Sequence, residues 1–111
     1  MNPSSASRKR TLRIRLFVAG NAPNSVAAIR NLRKVLAAHA DITTQLQIID
    51  VLKHPALGLS ANVLVTPTLI KLGPPVERRV VGSLSDTEAL MTLLGLHPPG
   101  HETTPPARTR R

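Results

Sequence analysis

The chain has 111 residues, a formal net charge of +9, no cysteine and one aromatic residue, Phe17. This length accommodates one domain rather than two, and the absence of cysteine excludes disulfides, a thiolate nucleophile and dithiol redox chemistry. One aromatic side chain provides no stacking platform for single-stranded nucleic acid, and no apolar run approaches the roughly 18 residues of a membrane span.

The N-terminal segment bears on localisation. It is rich in Arg and Ser, and its first acidic residue is Asp41, a composition that organellar transit peptides share. A strand-like apolar pattern, however, begins already at Leu12, and the apolar stretch from Leu16 to Ala19 is too short for a signal-peptide core. We therefore expect a soluble, cytoplasmic protein.

Apolar residues are concentrated in the middle of the chain and divide it into three parts. The segments 1–11 and 97–111 are rich in Ser, Pro, Thr and Arg and carry more than half of the excess positive charge. Such segments cannot bury enough apolar surface to offset the entropy lost on ordering. We therefore predict disordered basic tails at 1–11 and 97–111 around one domain over 12–96.

The first half of this domain has the pattern of a strand, a helix and a second strand. Alternating apolar residues over 12–18 predict a strand that begins at a sheet edge and enters the core. Apolar residues at helical spacing predict an amphipathic helix over 24–39. The β-rich segment 45–51 predicts a short, largely buried strand, and this order implies a right-handed parallel crossover.

The second half predicts two more strands and a helix. Residues 52–64 suit either a short helix or an irregular packed loop, and strands are predicted at 69–72 and 78–81. A final helix is predicted over 85–94. The order β-α-β followed by β-β-α is that of a thioredoxin-like α/β domain, although other small α/β folds share it.

The ends of the last helix have clear local signals. Ser85 followed three residues later by Glu88 matches a capping box, and Gly95 is suited to ending the helix. Leu93 is a good helix former, so the local preferences agree with a helix here. This agreement favours a helix over an alternative strand in this segment, as the thioredoxin-like order requires.

The loop after the first strand is where a thioredoxin-like fold carries its active dithiol. Here residues 20–25 read GNAPNS, which contains no sulfur and no second glycine or lysine at P-loop spacing. Thr66-Pro67 stands where such folds commonly carry a cis proline, the alternative being an ordinary proline at a strand entry.

Candidate catalytic and metal-binding side chains are scattered. Asp50 ends a strand, and Asp86 and Glu88 suit the N-terminus of a helix better than a catalytic pair. No two histidines form a helical metal pair: His39 and His54 are far apart in sequence, and His97 and His101, at i, i+4 spacing, enclose two prolines that exclude a helix. We therefore predict no enzymatic activity, no metal and no cofactor.

Basic side chains on the predicted strands are the remaining candidate for function. Lys71, Arg78 and Arg79 belong to two adjacent strands, and Arg13 and Arg15 to the first strand. An edge strand with basic side chains can dock a partner, whereas the alternative is a solvated face.

Four segments together resemble one family, the circadian clock protein KaiB. They are 12–26 (LRIRLFVAGNAPNSV), 48–57 (IIDVLKHPAL), 65–71 (VTPTLIK) and 78–86 (RRVVGSLSD). The resemblance implies a non-enzymatic protein that binds the hexameric ATPase KaiC, modulates its phosphorylation state and recruits other clock components, histidine kinases among them.

The resemblance also implies two folds. The ground state of the family is a tetramer with its own α/β arrangement, and the binding-competent state is a thioredoxin-like monomer. Isomerisation of X–Pro bonds is slow, so the prolines of the second half are candidates for the slow element of this switch. The candidates for the switch are Pro67, Pro74, Pro75, Leu93 and Gly95.

The resemblance leads to a set of expected contacts and to an alternative. We expect KaiC to be contacted by Gln45, Gln47, Lys71, Arg78 and Arg79. The chain lacks the acidic tail, the acid-rich middle segment and the tyrosines of clock KaiB proteins. The alternative is therefore a stress-response or chaperone-like paralogue that is uncoupled from a clock, and nucleic-acid binding by the basic tails ranks third.

Overall fold

Four strands and three helices follow one another in the predicted order. The structure is a computed structural model that describes residues 11–73 and 76–96. The elements are β1 (Thr11–Val18), α1 (Pro23–Ala37), β2 (Thr43–Asp50), α2 (Pro55–Ser60), β3 (Thr68–Lys71), β4 (Arg78–Val81) and α3 (Thr87–Leu94). Residues 1–10 of the tail predicted at 1–11, the tail predicted at 97–111, and the switch candidates Pro74 and Pro75 lie outside the described residues. Thr11, which was assigned to the tail, is the first residue of β1.

The strands form one mixed sheet in the order β2-β1-β3-β4. β1 pairs in parallel with β2, as the crossover predicts, and in antiparallel with β3, which pairs in antiparallel with β4. The prediction that the first strand begins at an edge is wrong, because Thr11 already lies opposite Thr43 of β2. The edges are β2 and β4.

The second strand differs from its prediction in burial. It was expected to be largely buried, yet Ile49 is its one buried residue. The reason is its place in the sheet, since an edge strand has a neighbour on one side only. Its polar residues Gln45 and Gln47 alternate with apolar ones, which is typical of a strand with one exposed face.

Each face of the sheet has its own apolar cluster. Helices α1 and α3 cover one face, where alternate residues of β1 such as Ile14 and Leu16 are fully buried against Leu32 and Leu94. The opposite face carries a smaller cluster of Phe17, Ile49 and Ile70, and the residues that pack against it include Val51 before α2 and Ala61 and Val63 after it. Residues 52–64 thus contain both a six-residue helix and a packed loop.

The last helix begins at Thr87, two residues after the start of the predicted range 85–94, and its cap lies one residue after Ser85. Its N-cap is Asp86, whose Oδ1 accepts a hydrogen bond from the Ala89 N–H at 3.0 Å. Ser85 and Glu88 therefore do not form a capping box, because the carboxylate of Asp86 accepts the hydrogen bond from the N-terminal amide of the helix. Gly95 ends the helix in a left-handed conformation with φ of 73°, which confirms the predicted stop.

No helix within 11–73 and 76–96 is long and apolar enough to cross a membrane.

Candidate partner-binding surface

Part of the sheet face opposite α1 and α3 is open to solvent. There, Arg13 and Arg15 of β1 lie directly opposite Gln45 and Gln47 of β2. We call these four residues the open face. Residues two apart on a strand point to the same side and lie about 7 Å apart, so alternation along two paired strands brings the four side chains together.

The open face forms a shallow depression of about 200 Å³, with Leu72 at its margin. Arg13, Gln45 and Gln47 are exposed and Arg15 is half-buried. Neither arginine forms an ion pair with an acidic side chain of the described residues. The surface therefore combines uncompensated positive charge with amide groups that both donate and accept hydrogen bonds.

The five contacts expected from sequence do not share one surface. Gln45 and Gln47 lie on the open face, whereas Lys71 lies opposite Ile14 and Arg78, on the side of the sheet that faces α1 and α3. A two-residue period along each strand separates the two groups.

Arg79 points to the same side as the open face, but its guanidinium is engaged within the chain. Nε donates to Glu77 Oε2 at 2.8 Å, Nη2 to the Ala61 carbonyl at 2.6 Å and Nη1 to the Asn62 carbonyl at 3.2 Å. The side chain thus fastens the segment after α2 to β4. Because these N–H groups of Arg79 already donate within the chain, they are not available to a partner.

The loop after β1 is a closed turn in place of a redox site. Oδ1 of Asp50 accepts hydrogen bonds from the N–H of Gly20 at 3.0 Å and of Leu52 at 2.9 Å. The buried Ser25 accepts a further bond from the Ala19 N–H. The sequence analysis identified Asp50 only as the end of a strand. The available signal for its role was an acidic residue as the last residue of an apolar strand.

These bonds also change the acidity of Asp50. The N–H of Leu52 and then that of Gly20 stabilise the carboxylate, and together they lower the pKa of Asp50 below its ordinary value. The positive charges of Lys53 and His54 act in the same direction, and partial burial opposes them.

The proline after Thr66 is in the cis form, which confirms the predicted cis proline over the ordinary strand entry. The Pro67 carbonyl accepts a hydrogen bond from the Gly82 N–H at 3.0 Å. Of the other switch candidates within the described residues, Leu93 packs partly buried against the main core and Gly95 caps α3.

The histidines are apart from one another. His39 is buried, with Nδ1 3.1 Å from the Val35 carbonyl oxygen, and His54 precedes α2. His97 and His101 lie outside the described residues. Within the described part of the chain no three His, Asp or Glu side chains are grouped to hold a metal ion.

Solved structures with the same fold include thioredoxins. Mitochondrial thioredoxin 3 from Saccharomyces cerevisiae superposes with a TM-score of 0.63 at 16% identity, covering 82% of this chain and 83% of that one. The N-terminal domain of Synechococcus elongatus SasA also has a TM-score of 0.63, at 31% identity, covering 78% and 85%. The chain is thus a thioredoxin-like α/β domain without a dithiol, as predicted.

Sequence comparison identifies the family. The model of the KaiB domain matches residues 15–96. The circadian clock oscillator protein KaiB of Synechococcus sp. CC9311 is 43% identical over 90 residues, which is 81% of this chain and 76% of that protein. KaiB of Acaryochloris marina is 43% identical over 91 residues, covering 82% and 88%. The chain belongs to the KaiB family.

Proposed function

We propose that this chain is a clock regulator of the KaiB type, which binds a KaiC-type ATPase through the open face and modulates its phosphorylation state in the cytoplasm without catalysing a reaction. Membership of the KaiB family and the likeness to the SasA domain support a clock context. The observation that carries the proposal is the open face itself, where two arginines that pair with no acidic side chain of the described segments lie beside two glutamines.

The chemistry of the open face defines what it binds. A partner surface that presents carboxylates is attracted by Arg13 and Arg15, and complementary charge raises the association rate and fixes the orientation of docking. Gln45 and Gln47 then provide hydrogen bonds at the rim. Of the contacts expected from sequence, these two lie on this interface, whereas Lys71 and Arg78 are on the other side of the sheet.

Binding also depends on which fold is populated. The thioredoxin-like state carries the open face, and in a KaiB-type switch it exchanges with a tetrameric ground state that refolds the second half. Local preferences in α3 favour the thioredoxin-like state, since Asp86 caps the helix and Gly95 ends it. Size-exclusion chromatography with NMR secondary shifts tests this, because a tetramer with helix across 78–84 and strand near 90–95 would contradict it.

A titration with a purified KaiC-type ATPase from the same organism tests the interface. Arg15→Glu and Gln47→Glu place negative charge on the open face and are expected to weaken binding at least about fivefold, or about 1 kcal/mol. Arg33→Glu is the matched control, because Arg33 is exposed on α1 on the far side of the sheet.

Two results would contradict the proposal. One is no measurable affinity of the wild-type chain for the ATPase, and the other is an equal loss in Arg33→Glu and Arg15→Glu. Phosphorylation of the ATPase is followed in the same mixtures, and at equal concentration its time course is expected to change less with Arg15→Glu than with the wild-type chain.

A second candidate function rests on a different observation. Four apolar side chains gather at the sheet end that carries the carboxyl termini of β1, β2 and β4, and they are largely exposed: Leu52 71%, Leu64 90%, Val65 53% and Val81 57%. Apolar surface of this kind suits a chaperone-like or stress-response role. Suppression of client aggregation that is lost in Leu64→Ser, together with dispensability for rhythm, would favour this function.

A further inference from the structure

Strand β4 has one free edge. Within residues 11–73 and 76–96 it is the last strand in the sheet, and β3 is its one neighbour. The Gly82 N–H donates to the Pro67 carbonyl, and hydrogen bonds in an antiparallel pair engage every second residue. It follows that Arg79 and Val81 direct their backbone N–H and C=O groups away from β3, where another strand can pair with them.

A groove runs along this edge, between β4 and α3, with a volume of about 660 Å³. Arg78 and Val80 point into it, because they lie opposite Lys71 and Leu69 and so share the face that α3 covers. The helix contributes Ala89, Thr92 and Leu93 at spacings of three and four residues, which is one stripe of a helix. Ala89 and Thr92 are small, so they leave room for side chains of an added strand.

The charge of the groove is uneven. Arg79 is neutralised by its ion pair with Glu77. Arg78 is exposed and forms no ion pair with any acidic residue of the described segments. A free positive charge therefore stands beside free backbone groups, next to an apolar stripe.

We infer that the β4 edge docks an extended acidic segment of another protein, in which a carboxylate meets Arg78 and an apolar side chain lies between Val80 and Leu93. Strand addition of this kind obtains affinity from backbone hydrogen bonds and specificity from alternate side chains. A second copy of β4 does not fit, because two paired β4 strands bring four arginines together and Glu77 offsets one on each strand. This site is at the opposite edge of the sheet from β2 and does not depend on a KaiC-type partner.

NMR spectra of the full chain, labelled with ¹⁵N, test the inference with a short synthetic peptide in which glutamate alternates with valine. The peptide is expected to shift the amide signals of 78–81 and 89–93 and to slow hydrogen exchange of the outward N–H groups of Arg79 and Val81. A matched peptide with lysine in place of glutamate is expected to leave these signals unchanged.

Two variants locate the binding. Arg78→Glu is expected to weaken binding of the glutamate peptide at least about fivefold. Arg33→Glu, the same charge change on α1, is expected to change this affinity less than twofold. Val81→Pro removes an outward N–H without taking a bond from β3, and edge strands tolerate proline, so binding is lost while the α1 signals stay in place.

Several outcomes overturn the inference. They are equal binding of the lysine peptide, shifts that map to β2, no binding at millimolar peptide, or an unchanged affinity in Arg78→Glu. Shifts at 78–81 that depend on protein concentration without peptide would show that a second copy occupies the edge instead.

Discussion

The guanidinium of Arg79 donates from Nη2 to the carbonyl oxygen of Ala61 at 2.6 Å, across 18 residues of sequence. Ala61 is the C-cap residue of α2, and its carbonyl is one of those that a helix end leaves without an intrahelical partner. Since Nη1 also reaches the Asn62 carbonyl and Nε is held by Glu77, one side chain ties the end of α2 to the sheet edge.

Replacement of Arg79 by Ala removes these hydrogen bonds and is therefore expected to reduce the free energy of unfolding. The expected reduction is only about 1 kcal/mol, because water partly replaces hydrogen bonds of exposed charged groups. Urea unfolding measures this loss. Amide hydrogen exchange near residues 61–65 is expected to accelerate. Arg78→Ala is the control, and an equal loss in both variants would mean that the bonds to Ala61 and Asn62 contribute nothing.

Asp50 is expected to make stability depend on acid pH. Its pKa is lowered in the folded chain by the N–H groups of Leu52 and Gly20, so the unfolded chain takes up this proton first as pH falls. The stabilisation is thus complete above the ordinary pKa of about 3.8 and is lost as pH falls through the lower, folded value.

Comparison of wild type with Asp50→Asn over acid pH measures this effect. The stability difference between them is expected to be largest near neutral pH and to shrink below about pH 4. Asp41→Asn, at an exposed acid, is the control. A difference for Asp50→Asn that stays constant with pH would contradict the assignment.

The cap of α3 gives a third prediction with a matched neighbour. Asp86→Ala removes the acceptor of the Ala89 N–H and is expected to cost about 1 kcal/mol of unfolding free energy. Ser85→Ala is expected to cost a few tenths at most, although the sequence pattern made Ser85 the cap. Thermal unfolding of both variants measures the two losses. A larger loss in Ser85→Ala would mean that Ser85, and not Asp86, caps the helix.

Gly95 gives a fourth prediction. Its φ of 73° is left-handed, and a residue with a Cβ pays about 1 kcal/mol there. Gly95→Ala is expected to lower the unfolding free energy by that amount, and Gly95→Asn by less, because asparagine tolerates this conformation. Equal stability of wild type and Gly95→Ala, measured in urea, would contradict a helix that ends at this residue.

Patterns along the chain sufficed for the family and for every element except α2, because residues 52–64 suited either a short helix or a loop. Alternation and helical spacing record which face of each element is buried, so strands at 12–18 and 78–81 and the helix stop at Gly95 were predictable. The same alternation places Gln45 with Gln47, and Arg13 with Arg15, on common faces. Half of the candidate surface was therefore accessible from sequence.

Tertiary structure alone decided which strands are neighbours and which charges are free. Alternation says which residues share a face of one strand, but not which strand lies beside it. The pairing of β1 with β2 was thus needed to join Arg15 to Gln47. The register of β3 against β1 was needed to place Lys71 on the opposite face, beside Ile14. The role of Arg79 depends on carbonyl groups 17 and 18 residues away in the sequence. Such contacts leave no periodic signal in the chain, because packing of the whole fold brings the residues together.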